Sequence, residues 1–192
     1  MMILASKSPR RKELLSMLGL DFTVQTADID ETMDPALTVE QAVAAVCRNK
    51  AEAVGRTAPG QLVLAADTVV VVDDRILGKP ATEEEAARML RTLSGRRHRV
   101  LTAFCLWRDG AREEHVEETF LRFRQLSDKE ISAYIATGSP MDKAGAYGIQ
   151  DQAAVFAEAL EGDYYNVMGL PLCALTKALR RQGVPVLGTV EL

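Results

Sequence analysis

The chain has 192 residues, of which 47% are apolar, 26% charged and only 5% aromatic, with a formal net charge of −4. That length supports one domain or two closely joined lobes around a core that needs no staples. The acidic balance argues against a nucleic-acid surface, yet leaves room for a nucleotide, whose phosphates need only a few local cations.

In chain order, Met2 to Ala5 reads as a short apolar strand. Ser8 is placed to cap a helix with Pro9 at its first position, an apolar stripe of Leu14, Leu15 and Leu18, and Gly19 just past its end. Asp21 to Thr26 reads as a second short strand, followed by an acidic loop with Asp28, Asp30, Glu31 and Asp34. Thr38-x-x-Gln41 has the pattern of a capping box and opens a helix that stops near Gly55. Leu62 to Val72 is nearly all apolar, interrupted by Asp67 and Thr68, and β-branched in its second half, so it predicts a buried strand. Asp73-Asp74 marks a turn, Gly78-Lys79-Pro80 a loop, and Thr82-x-x-Glu85 a further capping box for a helix through Leu93.

Val100 to Trp107 and Val116 to Arg124 predict two strands of a long hairpin about Asp109-Gly110. Ser127-x-x-Glu130 caps a helix ending at Gly138, and a loop with Asp142, Lys143, Gly145 and Gly148 follows. Ala153 to Leu160 reads as a strand, and Pro171 starts a last helix that ends at Gly183. Helices interleaved with strands predict an α/β fold, with a mixed sheet because of the hairpin.

Three well-separated cysteines, Cys47, Cys105 and Cys173, lack any C-x-x-C pairing and argue against a disulfide framework or a structural zinc site. Reduced thiols fit a cytoplasmic protein. The apolar start is only a few residues long and precedes Lys7, Arg10, Arg11 and Lys12, the wrong order for a signal peptide. No apolar run approaches the roughly 20 residues that cross a bilayer.

Five constellations could carry chemistry. In Ser6-Lys7-Ser8-Pro9-Arg10-Arg11 a strand meets a helix N-terminus, where free N–H groups, the helix dipole, hydroxyls and guanidiniums all suit an anion. A capped surface helix with solvated cations is the plainer reading. Asp67 is a lone carboxylate in an apolar strand and costs several kcal/mol unless it is paired, metal-bound or open to a cleft. Lys50, Lys79 and Lys143 are each ordinary surface charges taken singly and gain interest only together. Asp30 and Glu31 offer carboxylates of the kind that hold Mg²⁺ with phosphate oxygens, or simply a solvated loop. In Gly145-Ala146-Tyr147-Gly148-Ile149-Gln150, glycine permits close backbone approach and Gln150 can both donate to and accept from a base edge, although a turn entering a strand has the same pattern.

No G-x-x-x-x-G-K-[ST], G-x-G-x-x-G or G-x-S-x-G occurs, so neither a P-loop, a Rossmann fingerprint nor a nucleophile elbow is supported. His98 and His115 lie in or beside predicted strands without ligand spacing and read as ordinary hairpin residues.

Taken together and in order, these segments resemble the Maf family of nucleoside triphosphate pyrophosphatases, also described as septum-formation inhibitors. The pieces that carry the resemblance are Leu4-Ala5-Ser6-Lys7-Ser8-Pro9-Arg10-Arg11, Asp30-Glu31, Lys50-Ala51, Ala66-Asp67-Thr68 and Gly78-Lys79-Pro80. They continue with Asp142 through Gln150 and with Asn166-Val167-Met168-Gly169-Leu170-Pro171. The resemblance implies one Maf-like domain over residues 1–192, folded as a two-lobed mixed sheet with a central cleft, similar to inosine triphosphate pyrophosphatases. It implies hydrolysis at the α–β phosphoanhydride to a monophosphate and pyrophosphate, as house-cleaning of a nucleotide pool, with a divalent cation, Mg²⁺ or Mn²⁺, as cofactor.

The roles implied are catalytic for Asp67, Lys50 and Lys79, with Asp67 as proton acceptor. Substrate binding is implied for Ser6, Ser8, Arg10, Arg11, Thr68, Lys143 and Gln150, and metal binding for Glu31 and Asp67. Arg10, Thr68 and Gln150 resemble the subtype that prefers dTTP and UTP over the one that prefers 7-methyl-GTP. Two departures are Asp151, where glycine is usual, and Ala65-Ala66, where Gly-Ala is more frequent. The partner expected is a small nucleotide, not nucleic acid or membrane, and a homodimer is left open. Alternative readings are a Maf enzyme for modified nucleotides or CTP, a monophosphatase-like hydrolase, and a nucleotide-binding regulator of division with little turnover.

Overall fold

The helix starts follow from side chains that accept otherwise unpaired backbone N–H groups. The computed structural model describes residues 2–188. In it Ser8 accepts from the Arg11 amide and opens α1 (Pro9–Ser16). Thr38 and Ser127 form complete capping boxes, with Gln41 and Glu130, at the starts of α2 (Val39–Gly55) and α4 (Asp128–Ile135). Each such cap is worth about 1 kcal/mol. The third predicted box is half made: Thr82 accepts from the Glu85 amide at the start of α3 (Glu83–Leu93), but the Glu85 carboxylate turns to the Ala81 amide. α5 (Tyr164–Met168) and α6 (Leu172–Arg181) complete the helices.

Seven strands form one mixed sheet in the order β2-β1-β3-β5-β6-β7, with β4 paired to β3. They are β1 (Met2–Leu4), β2 (Phe22–Val24), β3 (Leu62–Val72), β4 (Arg75–Leu77), β5 (Arg97–Arg108), β6 (Ala111–Phe123) and β7 (Ala157–Glu161). β1 runs parallel to β2 and β3, whereas β3–β4 and β6–β7 are antiparallel. The α/β class and the mixed sheet are as expected. β4 was not foreseen: it is a three-residue return that follows Asp73 and Asp74, both at positive φ, the turn geometry that matches strand twist.

The predicted strand over Ala153 to Leu160 is corrected by the structure. Its first half is a 3-10 helix, Gln152–Phe156, and only Ala157–Glu161 is strand. Ala153 and Phe156 are buried while Ala154 and Val155 are exposed. That spacing of three belongs to a 3-10 turn, not to a strand's spacing of two.

The chain divides into two compact units. The first holds the residues up to Asp67, Thr102–Glu117 and those from Gly169 onward. Leu14 and Leu15 of α1, Val43, Val46 and Cys47 of α2, Leu64 of β3 and Phe104 of β5 are buried in it. The second holds Thr68–Leu101 and Glu118–Met168. Its core gathers Val70, Leu90, Leu93, Leu121, Phe123, Ile131 and Phe156. Full burial of each such side chain is worth about 1.5–3 kcal/mol. Among the described residues no helix is long and apolar enough to cross a membrane.

Candidate active site

The first unit builds its polar site from three elements. β3 runs buried through Ala66, and Asp67 follows as its first half-covered side chain. Lys50 comes from the last turns of α2, and Glu31 from the acidic loop after β2. The Lys50 ammonium donates to Asp67 Oδ1 at 2.7 Å and to Glu31 Oε2 at 2.8 Å. Exposure of the side chains is 14% for Lys50, 14% for Asp67 and 57% for Glu31. Asp67 is therefore neither sealed nor bare: it keeps one edge to solvent and has a cation in direct contact.

The neighbouring acids of the loop behave differently. Asp30 turns back on Thr32, accepting from its amide at 2.8 Å; the Thr32 hydroxyl, and after it this amide, lower its pKa. Asp34 accepts from the Ala36 amide. Glu31 alone of the Asp30-Glu31 pair is brought to Lys50.

The second strand-to-helix feature lies at the start of α1. Ser6, 8% exposed, accepts from the Ser8 amide at 3.2 Å and from Arg11 Nη1 at 3.3 Å. Arg11 Nε donates to the Gly169 carbonyl at 2.9 Å. Burial lowers the Arg11 pKa, while the negative charge of Asp67 and, further down, of Glu31 opposes that fall. The guanidinium therefore sits within electrostatic reach of the carboxylate pair. Basic side chains at a helix start are unfavourable for the dipole unless an anion joins them. Beneath the site, the Cys47 thiol donates to the Ala65 carbonyl, and burial pushes its pKa well up. It is a packing residue there.

Sequence reasoning placed Arg11 correctly at the helix start but missed Gly169 as its anchor. The only signal was the Asn166-to-Pro171 segment, because the two residues lie far apart in the chain.

The other expected residues belong to the second unit. Lys79 is exposed, between Gly78 and the buried Pro80. The Gly78 carbonyl accepts from the Gly145 amide at 3.0 Å, which brings the Gly78-Lys79-Pro80 loop to the Gly145 loop. Gly145 is held at φ +68°, and a Cβ there would lie 2.9 Å from Val70 Cγ2, so the segment needs glycine. Gln150 is exposed and Thr68 half-buried. Lys143 is engaged by neighbours: Asp142 Oδ1 at 2.7 Å and the Ser139 carbonyl at 2.5 Å. Asn166 is buried and donates to the Val100 carbonyl and Thr119 Oγ1. His98 is buried against Tyr147, its Nε2 lying 2.9 Å from the phenol oxygen. His115 pairs with Glu117 at 2.8 Å.

Among the described residues no three acids, histidines or cysteines converge as a ready-made metal cage. The oxygen pair of Glu31 and Asp67 still suits a hard divalent cation. Mg²⁺ is commonly held by one or two carboxylates together with substrate phosphates.

A carboxylate pair bridged by an ammonium, within reach of a guanidinium-bearing helix start, defines an α/β protein built to handle polyvalent charge. The chain belongs to the Maf-like protein family, whose model matches residues 1–182. It is 50% identical over 182 residues to the dTTP/UTP pyrophosphatase of Geobacillus sp. (strain WCH70), covering 95% of this chain and 98% of that one. It is likewise 50% identical over 182 residues to the dTTP/UTP pyrophosphatase of Halalkalibacterium halodurans, covering 95% and 96%. The solved structure of the Staphylococcus aureus Ham1 protein is a distant likeness, with 14% identity and a TM-score of 0.47 over 81% of this chain and 90% of that one.

Proposed function

We propose that this chain is a nucleoside triphosphate pyrophosphatase that acts on dTTP and UTP, releasing the monophosphate and pyrophosphate within the cytoplasmic nucleotide pool. The observation that carries the reading is Asp67 itself. A carboxylate at the end of a run of buried residues is maintained at 14% exposure, 2.7 Å from an ammonium. Structural economy would replace it with another apolar residue, since a well-packed apolar pair usually equals or exceeds a buried ion pair in stability. Its retention favours chemistry. Both relatives described above are named dTTP/UTP pyrophosphatases and match over nearly their full lengths, which supports the substrate class. Three unpaired cysteines are in keeping with a reducing compartment.

In this mechanism Asp67 accepts a proton from a water as the water oxygen attacks the α-phosphorus. The α–β bridging bond breaks, and its electron pair leaves with pyrophosphate. Lys50 orients Asp67 before the attack through its hydrogen bond to Oδ1. Arg10, Arg11 and the Ser6 and Ser8 hydroxyls bind phosphate oxygens. A divalent cation, Mg²⁺ or Mn²⁺, would be held by Glu31 and Asp67 and would neutralise charge on the phosphates. The roles of Thr68, Lys79 and Gln150 toward base and phosphates rest on their motifs.

A positioned general base contributes about 10² to 10⁴ in rate. Asp67→Asn is therefore expected to lower kcat by about that factor while leaving the thermal melt cooperative. The assay is a panel of nucleoside triphosphates with each metal, with products separated by chromatography. Orthophosphate in place of pyrophosphate, or near-wild-type turnover by Asp67→Asn, would refute the mechanism.

A further inference from the structure

Apart from the Asp67 site, a dense polar cluster surrounds Asp151 and Lys143 in the second unit. A lysine ammonium has three donors. In Lys143 all three have acceptors: the Ser139 carbonyl at 2.5 Å, the Ser139 hydroxyl at 3.2 Å and Asp142 Oδ1 at 2.7 Å. Only 11% of the side chain is exposed. A phosphate would reach this ammonium only by displacing one of those acceptors.

Asp151 closes the cluster from the other end. Its Oδ2 accepts from the Ser139 hydroxyl at 2.6 Å, and its Oδ1 accepts from the Ala153 amide at 2.8 Å. Oδ2 also lies 3.7 Å from Lys143 Nζ, an ion pair without a direct hydrogen bond. The Tyr134 hydroxyl stands 3.1 Å from both carboxylate oxygens and accepts from the Gly148 amide at 3.1 Å. Burial, with the Asp151 charge beside it, raises the phenol's pKa. Tyr134 therefore keeps its proton for Asp151 while its lone pair holds Gly148. The packing leaves no slack: a Cβ on Gly148 would lie 2.6 Å from Asp151 Oδ2 and 2.7 Å from Lys143 Cε.

We propose that Asp151 is a positioning residue for nucleotide discrimination: with Lys143, Ser139 and Tyr134 it clamps the 143–150 loop, so that the exposed Gln150 is presented to the base from a fixed backbone. Lys143 then serves the clamp and not the phosphates. This rests on the pyrophosphatase reading and deepens it.

The test separates base from phosphate and clamp from activity. Asp151→Asn and Lys143→Met are each expected to raise KM for dTTP and UTP about tenfold, the scale of one lost charge-assisted hydrogen bond. For both, kcat should change less than about threefold, and the double variant should be little worse than either single one, as for residues in one network. Inhibition by inorganic tripolyphosphate, which has phosphates and no base, should change less than about twofold, since no phosphate ligand is lost. Weakening of tripolyphosphate by Lys143→Met to the same extent as dTTP would make Lys143 a phosphate ligand and overturn the proposal. Additive effects in the double variant would also overturn it.

Tyr134→Phe gives an arm free of nucleotide and of charge change. Amide hydrogen exchange at Gly148 should accelerate about tenfold with the loss of one hydrogen bond. Unchanged protection there would sink the clamp alone. A wild-type chain that releases no pyrophosphate from any triphosphate would sink the function, and the discrimination role with it.

Discussion

Lys50 and Lys143 are lysines of the same kind in the same protein, each set against two carboxylates and each almost covered, at 14% and 11% side-chain exposure. Their partners differ. Among the described residues, Lys50 makes hydrogen bonds to Asp67 and Glu31 and has a third donor to spare, and Glu31 is more than half open to water. Lys143 spends every donor on its own neighbours, two of them on one serine. The first arrangement can exchange a partner for a ligand at little cost. The second can do so only by breaking its surroundings. Residue type and burial thus say less about a lysine's role than its count of unspent donors.

The sharpest way to break that comparison is to remove each ammonium. Lys50→Met removes the ammonium that bridges Asp67 and Glu31. It is expected to lower kcat/KM by about 10² to 10³, the usual scale for losing one preorganised electrostatic group. Pyrophosphate release under steady-state conditions reads this directly. If Lys143→Met lowered kcat as far as Lys50→Met does, the distinction between the two lysines would collapse.

A second prediction concerns the loop that brings Gly78 and Gly145 together. Gly145→Ala forces a side chain into positive φ and against Val70. Strain and overpacking of this kind together cost about 3 kcal/mol. Thermal and denaturant melts would read it, and an unshifted midpoint would show that the loop moves freely. The third and smallest effect is in pH. Burial depresses the His98 pKa to about 4 from an ordinary value of 6.5. The folded protein thus binds fewer protons there than the unfolded chain, so stability is full above the unfolded value and falls as pH drops toward 4. Between pH 7 and pH 5 the loss is about 2 kcal/mol. His98→Gln should flatten that slope in denaturant titrations at the two pH values, and an unchanged slope would place the sensitivity elsewhere.

Much of the fold was legible because it depends on short-range chemistry. Ser8, Thr38 and Ser127 announce their helices by hydroxyls three residues ahead of an amide, and β3 announces itself by branched apolar residues over Leu62–Val72. The strand predicted over Val116 to Arg124 falls on β6, where Thr119, Leu121 and Phe123 are buried at every second position. The 3-10 turn before β7 was misread because Asp151 caps the Ala153 amide, a side-chain bond that overrides strand propensity. At the site, an aspartate stranded in an apolar strand was visible from sequence, as was the need for a partner. Which partner it takes was not, because Lys50 and Glu31 come from separate elements that only the folded chain brings together. The saturation of Lys143 was equally hidden, since nothing in a residue's name counts its acceptors.

The tie between Arg11 and the Gly169 carbonyl spans 158 positions of the chain. During synthesis the helix tip that carries Arg11 is made well before the carbonyl that fixes its guanidinium. A nascent chain therefore carries its cationic tip without this anchor until Gly169 has been added.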